Sequence, residues 1–168
     1  MKHFKKLIAL FLAMVLATSF ATTAMAAEND SGIPENATRH TIELTVAPDG
    51  TIEGTDEDGV APFMWGNGSY SPPANGVTYT AQFTIPDRYF AYELSAIGSN
   101  GATVSGTCSA YLLLSDAETS IAGLNVNIDG STKKMDWIDV TAGDKHLFKI
   151  INGSSSSITV TITYYSWA

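Results

Sequence analysis

The sequence predicts an all-β protein: an antiparallel β-sandwich of jelly-roll type, with eight to nine short strands after a cleaved signal peptide. Three observations predict it. Apolar and polar residues alternate with a period of two over most of the chain. Gly, Pro, Asn and Asp recur between the alternating runs, at the spacing of short strands and turns. No stretch carries a sustained helical period. Sandwiches and closed barrels are the architectures built from such units.

The first element is a targeting segment. Lys2, Lys5 and Lys6 form a basic start, Leu7 to Ala17 an apolar run, and "TSFATTAMA" places Ala24 and Ala26 before a cut. This is the three-part layout of a secretory signal peptide, with cleavage after Ala26. The apolar run is shorter than the ~20 residues of a membrane span. Residues 1–26 are therefore read as a removed signal, bacterial in character, and the product as secreted without a stable membrane anchor. Residues 27–37, polar with Gly and Pro, read as a flexible leader. Residues 38–168 read as a single domain.

Within the domain the strands follow one another. In "RHTIELTVA", Ile42, Leu44 and Val46 share one face, and "PDGT" turns the chain. In "VTYTAQFTIP", Val77, Tyr79, Ala81, Phe83 and Ile85 are the expected core face. "YFAYELSAIG" follows with Phe90, Tyr92 and Leu94 inward. "AYLLLS" is apolar on both faces, as a central strand is. "SDAE" at 115–118 resembles a capping box that starts one helical turn. "LNVNID" alternates again, and "IDGST" at 128–132 reads as a hairpin turn. "MDWIDV" and "HLFKIIN" are joined by the turn-like "TAGDK". In the final "SSITVTITYYSWA", Ile158, Val160, Ile162 and Tyr164 are expected inside. Thr159, Thr161, Thr163, Tyr165 and Trp167 are expected outside. No Lys, Pro or charge guards this strand, so it is assigned to a sheet interior and not to an edge.

Composition narrows the function classes. The whole chain carries 9 Lys and Arg against 17 Asp and Glu. Loss of the signal removes three lysines and no acid, leaving −11. That charge argues against nucleic acid and anionic membranes as partners, because both need a basic face. Cys108 is the single cysteine, so no intramolecular disulfide is possible. Its strand-like flanks predict a buried thiol that packs as a small apolar residue.

Chemistry-bearing motifs are scarce. His40 and His146 are the two histidines left after the cut, both in strand-like runs. No nucleophile elbow, HExxH, CxxC or phosphate loop occurs. No catalytic residue is assigned, and the expectation is a non-enzymatic protein. Glu93 and Asp139 interrupt apolar strands, as outward residues on half-wet strands do. The acidic run at 49–59 offers Asp56 and Asp58 as partial Ca²⁺ ligands, but the loop pattern lacks its distal Glu. Asn36, Asn67 and Asn152 each begin an N-x-S/T triplet.

Aromatics on loops carry the binding expectation. Residues 61–76 hold Phe63, Met64, Trp65 and Tyr70 among Gly and Pro, either as a plug over one end of the sandwich or as a ligand platform. The candidate ligand-binding residues are Trp65, Tyr70, Trp137 and Trp167, with a glycan or an extracellular protein as partner. The alternative is a structural or matrix protein that associates through an exposed strand edge.

The stretch "WIDVTAGDKHLFKIINGSSSSITVTITYY" resembles the end of bacterial secreted jelly-roll modules such as the pre-peptidase C-terminal domain. It shares an apolar strand, an Ala-Gly-Asp turn, an "FKI" strand, a Ser/Gly loop and a closing alternating strand. The resemblance implies a non-catalytic accessory or binding role. It carries no functional motif, and no enzyme domain accompanies the module here.

The processing step is directly measurable. Intact mass and N-terminal sequencing of the exported protein should place the first residue at Ala27.

Overall fold

The structure, a computed structural model, describes residues 32–56 and 76–168, with side chains left out at 53–56. The expected signal peptide at 1–26, residues 27–31 of the expected leader and residues 57–75, with most of the aromatic loop, lie outside the described residues. Eleven strands occur among the described residues, more than the eight or nine expected. β1 (Thr38–Val46), β2 (Ile52–Asp56), β5 (Tyr89–Gly98), β8 (Thr132–Lys134), β9 (Ile138–Asp139) and β11 (Ile158–Trp167) form one antiparallel sheet. Its order is β2-β1-β11-β5-β8, with β9 also on β5. β3 (Val77–Tyr79), β4 (Phe83–Thr84), β6 (Thr107–Leu114), β7 (Ser120–Asn127) and β10 (Lys145–Asn152) form the second. Its order is β3-β10-β6-β7, with β4 also on β10. The two sheets pack as a jelly-roll-like sandwich.

The extra strands were hidden for local reasons. β2 lies in the acidic run read as a loop, yet it pairs with β1 from Val46↔Ile52 to Ile42↔Asp56. The "PDGT" turn makes that hairpin: the Thr51 amide donates to Asp49 Oδ1 at 2.9 Å. Gly50 turns there at φ +86°, and a Cβ on it would lie 2.5 Å from the Val77 carbonyl oxygen. β8 has three residues, too few to display alternation.

The core is the inner face of both sheets. Ile42, Leu44, Val46, Phe90, Tyr92, Leu94, Ile158, Val160 and Ile162 come from the first. Cys108, Ala110, Leu112, Val126, Phe148 and Ile150 come from the second. Burying each large side chain contributes about 1.5–3 kcal/mol. Two polar ties cross between the sheets. The Tyr92 hydroxyl donates to the Ala110 carbonyl at 2.7 Å. Asn152, 3% exposed, donates to the Val46 carbonyl at 2.9 Å and to Ser156 O at 2.8 Å. Its own Oδ1 accepts from the Ser154 amide and hydroxyl. Asn152 is thus a buried structural residue, and Asn36 is the exposed one of the described triplets.

Several local expectations are corrected. "VTYTAQFTIP" is two strands, and its first half faces the other way. Thr78 (2% exposed) and Thr80 (4%) are buried, while Val77 and Tyr79 are half-buried outside. The Asn152 amide donates to the Gly76 carbonyl, which sets Val77 opposite Ile151 and Thr78 opposite Ile150. A register shifted by one residue turns every side chain over. Thr80 then ends β3: its hydroxyl accepts the Phe148 amide and donates to Ala81 O, so the chain breaks before Phe83 rejoins the core. "IDGST" is not a hairpin. It carries the chain from β7 in one sheet to β8 in the other, with the Ser131 amide on Asp129 Oδ1. "SDAE" starts no helix, because Asp116 accepts the Glu118 and Thr119 amides and closes a turn instead.

The terminal strand does sit inside its sheet. β11 pairs with β1 from Thr38↔Ser166 to Val46↔Ile158 and with β5 from Tyr89↔Trp167 to Gly98↔Ile158. Its inner residues Ile158, Val160 and Ile162 are fully buried. Tyr164 is half-buried and stacks on Phe83 at 4.8 Å and on His40 at 4.9 Å. Thr163 is on the outer face, but its neighbours crowd it to 7% exposure. Ahead of β1, Ile33 is buried at 8%, so the described end of the leader is tied to the domain.

His146 is buried on the inner face of β10 at 1% exposure, and its Nδ1–H donates to the Asp144 carbonyl at 3.2 Å. Burial lowers its pKa from 6.5, opposed by the Asp144 carbonyl and carboxylate. The unfolded chain therefore takes up this proton at a higher pH than the folded one. The resulting stability is complete above pH 6.5 and falls as pH drops through that value. Melting temperature should fall between pH 7 and 5, and His146→Phe should flatten that slope in a calorimetric pH series. Asn152→Ala removes the side-chain donor to the buried Val46 carbonyl, while Ser156 O keeps the Ser154 hydroxyl; it should cost about 1–3 kcal/mol, read as a shift of the urea midpoint at constant slope.

Candidate functional site

The antiparallel register that places β11 beside β5 also builds a surface feature. Trp167 lies directly across from Tyr89, and Asp139 of β9 lies on the other side of Tyr89. The row Asp139–Tyr89–Trp167 therefore runs across the outer face at one end of the first sheet. Trp137, two residues before Asp139, packs its ring edge-on against Tyr89, with centroids 5.1 Å apart and planes at 83°. The Trp167 ring lies 6.0 Å from Tyr89 at 31°. Trp137 is 50% exposed, the most exposed of the large apolar side chains among the described residues. Gly32 approaches it from the leader: a Cβ there would sit 3.8 Å from Trp137 Cδ1.

A charged pair borders the cluster. Arg88 clasps Asp139 through Nε (3.1 and 3.0 Å) and Nη2 (2.6 Å), with both side chains more than half exposed. The guanidinium also lies 5.3 Å from the Tyr89 ring centroid, over its face. The Arg88 hydrogen bond holds the Asp139 carboxyl below the usual carboxylate range. Reciprocally, Asp139 raises the Arg88 pKa. An exposed pair of this kind adds little stability, but it fixes the orientation of Tyr89 and presents donors and acceptors beside the rings.

The neighbouring outer surface is hydroxyl-rich. Thr159, Thr161 and Thr163 of β11 lie across from Ile97, Ser95 and Glu93 of β5 and from Thr45, Glu43 and Thr41 of β1. Glu93 pairs with Lys134 at 3.2 Å, whose Nζ lies 5.8 Å from the Tyr165 ring. Burial, followed by the Glu93 charge, raises the Tyr165 pKa. Glu93 and Asp139 are thus outward residues engaged in ion pairs.

Of the four residues expected to bind ligand, Trp137 and Trp167 are brought together on Tyr89. Trp65 and Tyr70 lie outside the described residues, as does Asp58, and Asp56 ends β2. Among the described residues no three His, Cys, Asp or Glu converge as a metal site. Tyr89 and Arg88 were missed in the sequence. The available signal was alternation: Phe90 points inward, so Tyr89 points out. Cys108 is fully buried, and burial pushes its thiol pKa up to about 12.

No protein-family model and no curated protein matches the chain. Solved structures resemble it at low identity. One is from a study titled "Bacillus endospore appendages form a novel family of disulfide-linked pili", with 10% identity, 79% of this chain and 88% of that one covered, and a TM-score of 0.40. Another is the carbohydrate-binding module CBM36 in complex with calcium and xylotriose, with 14% identity, coverage of 59% and 87%, and a TM-score of 0.37. A third is the decameric BFDV capsid protein, with 9% identity, coverage of 77% and 95%, and a TM-score of 0.34. None is a pre-peptidase C-terminal domain.

The border pair separates site from scaffold. Asp139→Asn should leave the melting temperature at neutral pH unchanged within error, while near-ultraviolet circular dichroism reports altered packing around Tyr89 and Trp137.

Proposed function

We propose that this chain is a secreted, non-catalytic binding module that holds a glycan on the Tyr89–Trp137–Trp167 cluster. The observation that carries the reading is the half-exposed Trp137 standing edge-on to Tyr89, with Trp167 on the other side and the Arg88–Asp139 pair alongside. Aromatic faces pack against the CH faces of sugar rings, while a charged pair at their edge engages hydroxyls. The acidic surface and the hydroxyl-rich sheet beside the cluster favour a neutral, hydroxylated ligand over a polyanion. The signal-like start of the sequence supports a role for such a module outside the cell.

A second reading has its own observation. Among the described residues β7 pairs with β6 alone, and "SIAGLNVN" holds no charge and no proline. Such an edge is a template for another strand. One of its outward carbonyls, Asn125 O, is already taken by Lys133 Nζ at 3.1 Å. In this reading the protein is a matrix or appendage component that associates edge to edge.

Titration of the mature protein with neutral oligosaccharides, followed by tryptophan fluorescence, tests the first reading. Binding should be saturable. Trp137→Ala should weaken it about two- to tenfold, the loss of one aromatic contact at about 0.5–1.5 kcal/mol, with an unchanged melting temperature. Absence of saturable binding to any glycan, together with concentration-dependent oligomers in sedimentation that Ile121→Lys dissolves, would favour the edge reading.

A further inference from the structure

The outer face of the second sheet carries a separate feature. Lys149 of β10 lies between Tyr79 of β3 and Tyr111 of β6, and Gly123 of β7 completes the row. Tyr111 leans across this row: a Cβ on Gly123 would meet its ring at 2.6 Å. Beside the row, Leu113 (2% exposed) pairs with Leu147 (0%) on the same outer face. A sheet face turned to solvent does not ordinarily hide two leucines. The turn after β6, closed by Asp116 and tied down where Gln82 donates to Ser115 O, stands beside them as a wall.

The result is a cleft of about 300 Å³ lined by Tyr111, Leu113, Ala117, Glu118, Ser120, Lys149 and Ile151. Its size is at the lower end of small-molecule sites, about 300–1,000 Å³, so it suits a ligand of one ring. Leu113, Ile151 and the flank of Tyr111 offer apolar lining. Ala117 holds a left-handed backbone at φ +59° on its wall. Lys149 is half-buried and makes no ion pair or side-chain hydrogen bond among the described residues, in a chain with a large excess of acid. Two of the six described cations, Arg88 and Lys134, form ion pairs, with Asp139 and Glu93; Lys149 is set apart by its half-burial in the cleft. A half-buried cation beside tyrosines and over an apolar surface is arranged to meet an anion.

We propose that this cleft is a second binding site, for a single-ring hydroxylated carboxylate with the chemistry of a uronic acid. The carboxylate pairs with Lys149. The ring's CH face lies against Leu113, Ile151 and Tyr111. Its hydroxyls reach Ser120 and Glu118 at the rim, where Glu118 accepts and Ser120 donates or accepts. The site lies on the sheet opposite the Tyr89 cluster, and its assignment does not rest on that cluster's ligand.

The test is a heteronuclear NMR titration of the mature protein with D-glucuronate and, separately, D-glucose. Glucuronate should give saturable shifts at Tyr111, Leu113, Ser120 and Ile151, and glucose should bind about tenfold more weakly, the value of the lost charge-assisted contact. Lys149→Met, which keeps the aliphatic stem, should abolish the preference for glucuronate, and Lys149→Arg should restore it. Trp137→Ala should leave these shifts intact, which separates failure of this site from failure of the aromatic cluster. Equal binding of the two sugars, a preference for glucuronate that survives Lys149→Met, or no saturable shifts in a protein whose spectrum shows it folded would overturn the proposal.

Discussion

Most of the first sheet depends on one arrangement: a terminal strand hydrogen-bonded along both edges. β11 gives its amides and carbonyls to β1 on one side and β5 on the other, over nearly its whole length. A one-residue slip on either side would put Ile158, Val160 and Ile162 in water and threonines in the core, so burial locks the register. That lock has a consequence at the surface. With Ile158 opposite Gly98, Trp167 falls opposite Tyr89 and nowhere else. The aromatic cluster is the far end of a register determined by the core.

The two sheets meet across an apolar layer that has no directional preference of its own. Direction comes from polar groups placed within it. Tyr92 carries its hydroxyl across the layer to Ala110 O, and Asn152 carries its amide across to Val46 O. Burial raises the Tyr92 pKa well above its ordinary value, so the group remains a donor at any physiological pH. Each bond is modest in net energy, yet a misaligned packing would leave a buried donor or acceptor unpaired, which costs about 1–3 kcal/mol. These ties select one alignment among the several that hydrophobic burial alone permits.

The outer faces are where the two sheets diverge. The first carries threonines, a serine, Glu43, the ion-paired Glu93 and the exposed Ile97, and ends in the rings of Tyr89, Trp167 and the exposed Trp137. The second carries buried leucines, two tyrosines and, under a turn, a lysine with no ion pair among the described residues. A face that serves only to be wet needs neither exposed tryptophan nor concealed leucine. In the proposed reading, the chemistry of recognition sits on the outer surfaces of a scaffold whose inner surfaces are committed to stability. That division is common where function is grafted on a sandwich.

Period-two alternation, turn residues and the lack of helical pattern were enough, in the sequence alone, to determine an antiparallel sandwich, the inward faces of β1, β5 and β11, and a buried Cys108. These are local properties: side chains alternate along any strand, so one buried face is visible in a few residues. The sequence also marked Trp137 and Trp167 as candidates. Only the tertiary structure decided that they share Tyr89, that Arg88 clasps Asp139, and that Thr78 and Thr80 turn inward. It also decided that Lys149 stands between two tyrosines from other strands. Each of those facts is a relation between segments far apart in the chain, set by cross-strand register and by single bonds such as Asn152 N–H to Gly76 O. Alternation states which residues share a face; it carries no information about which strand will lie alongside.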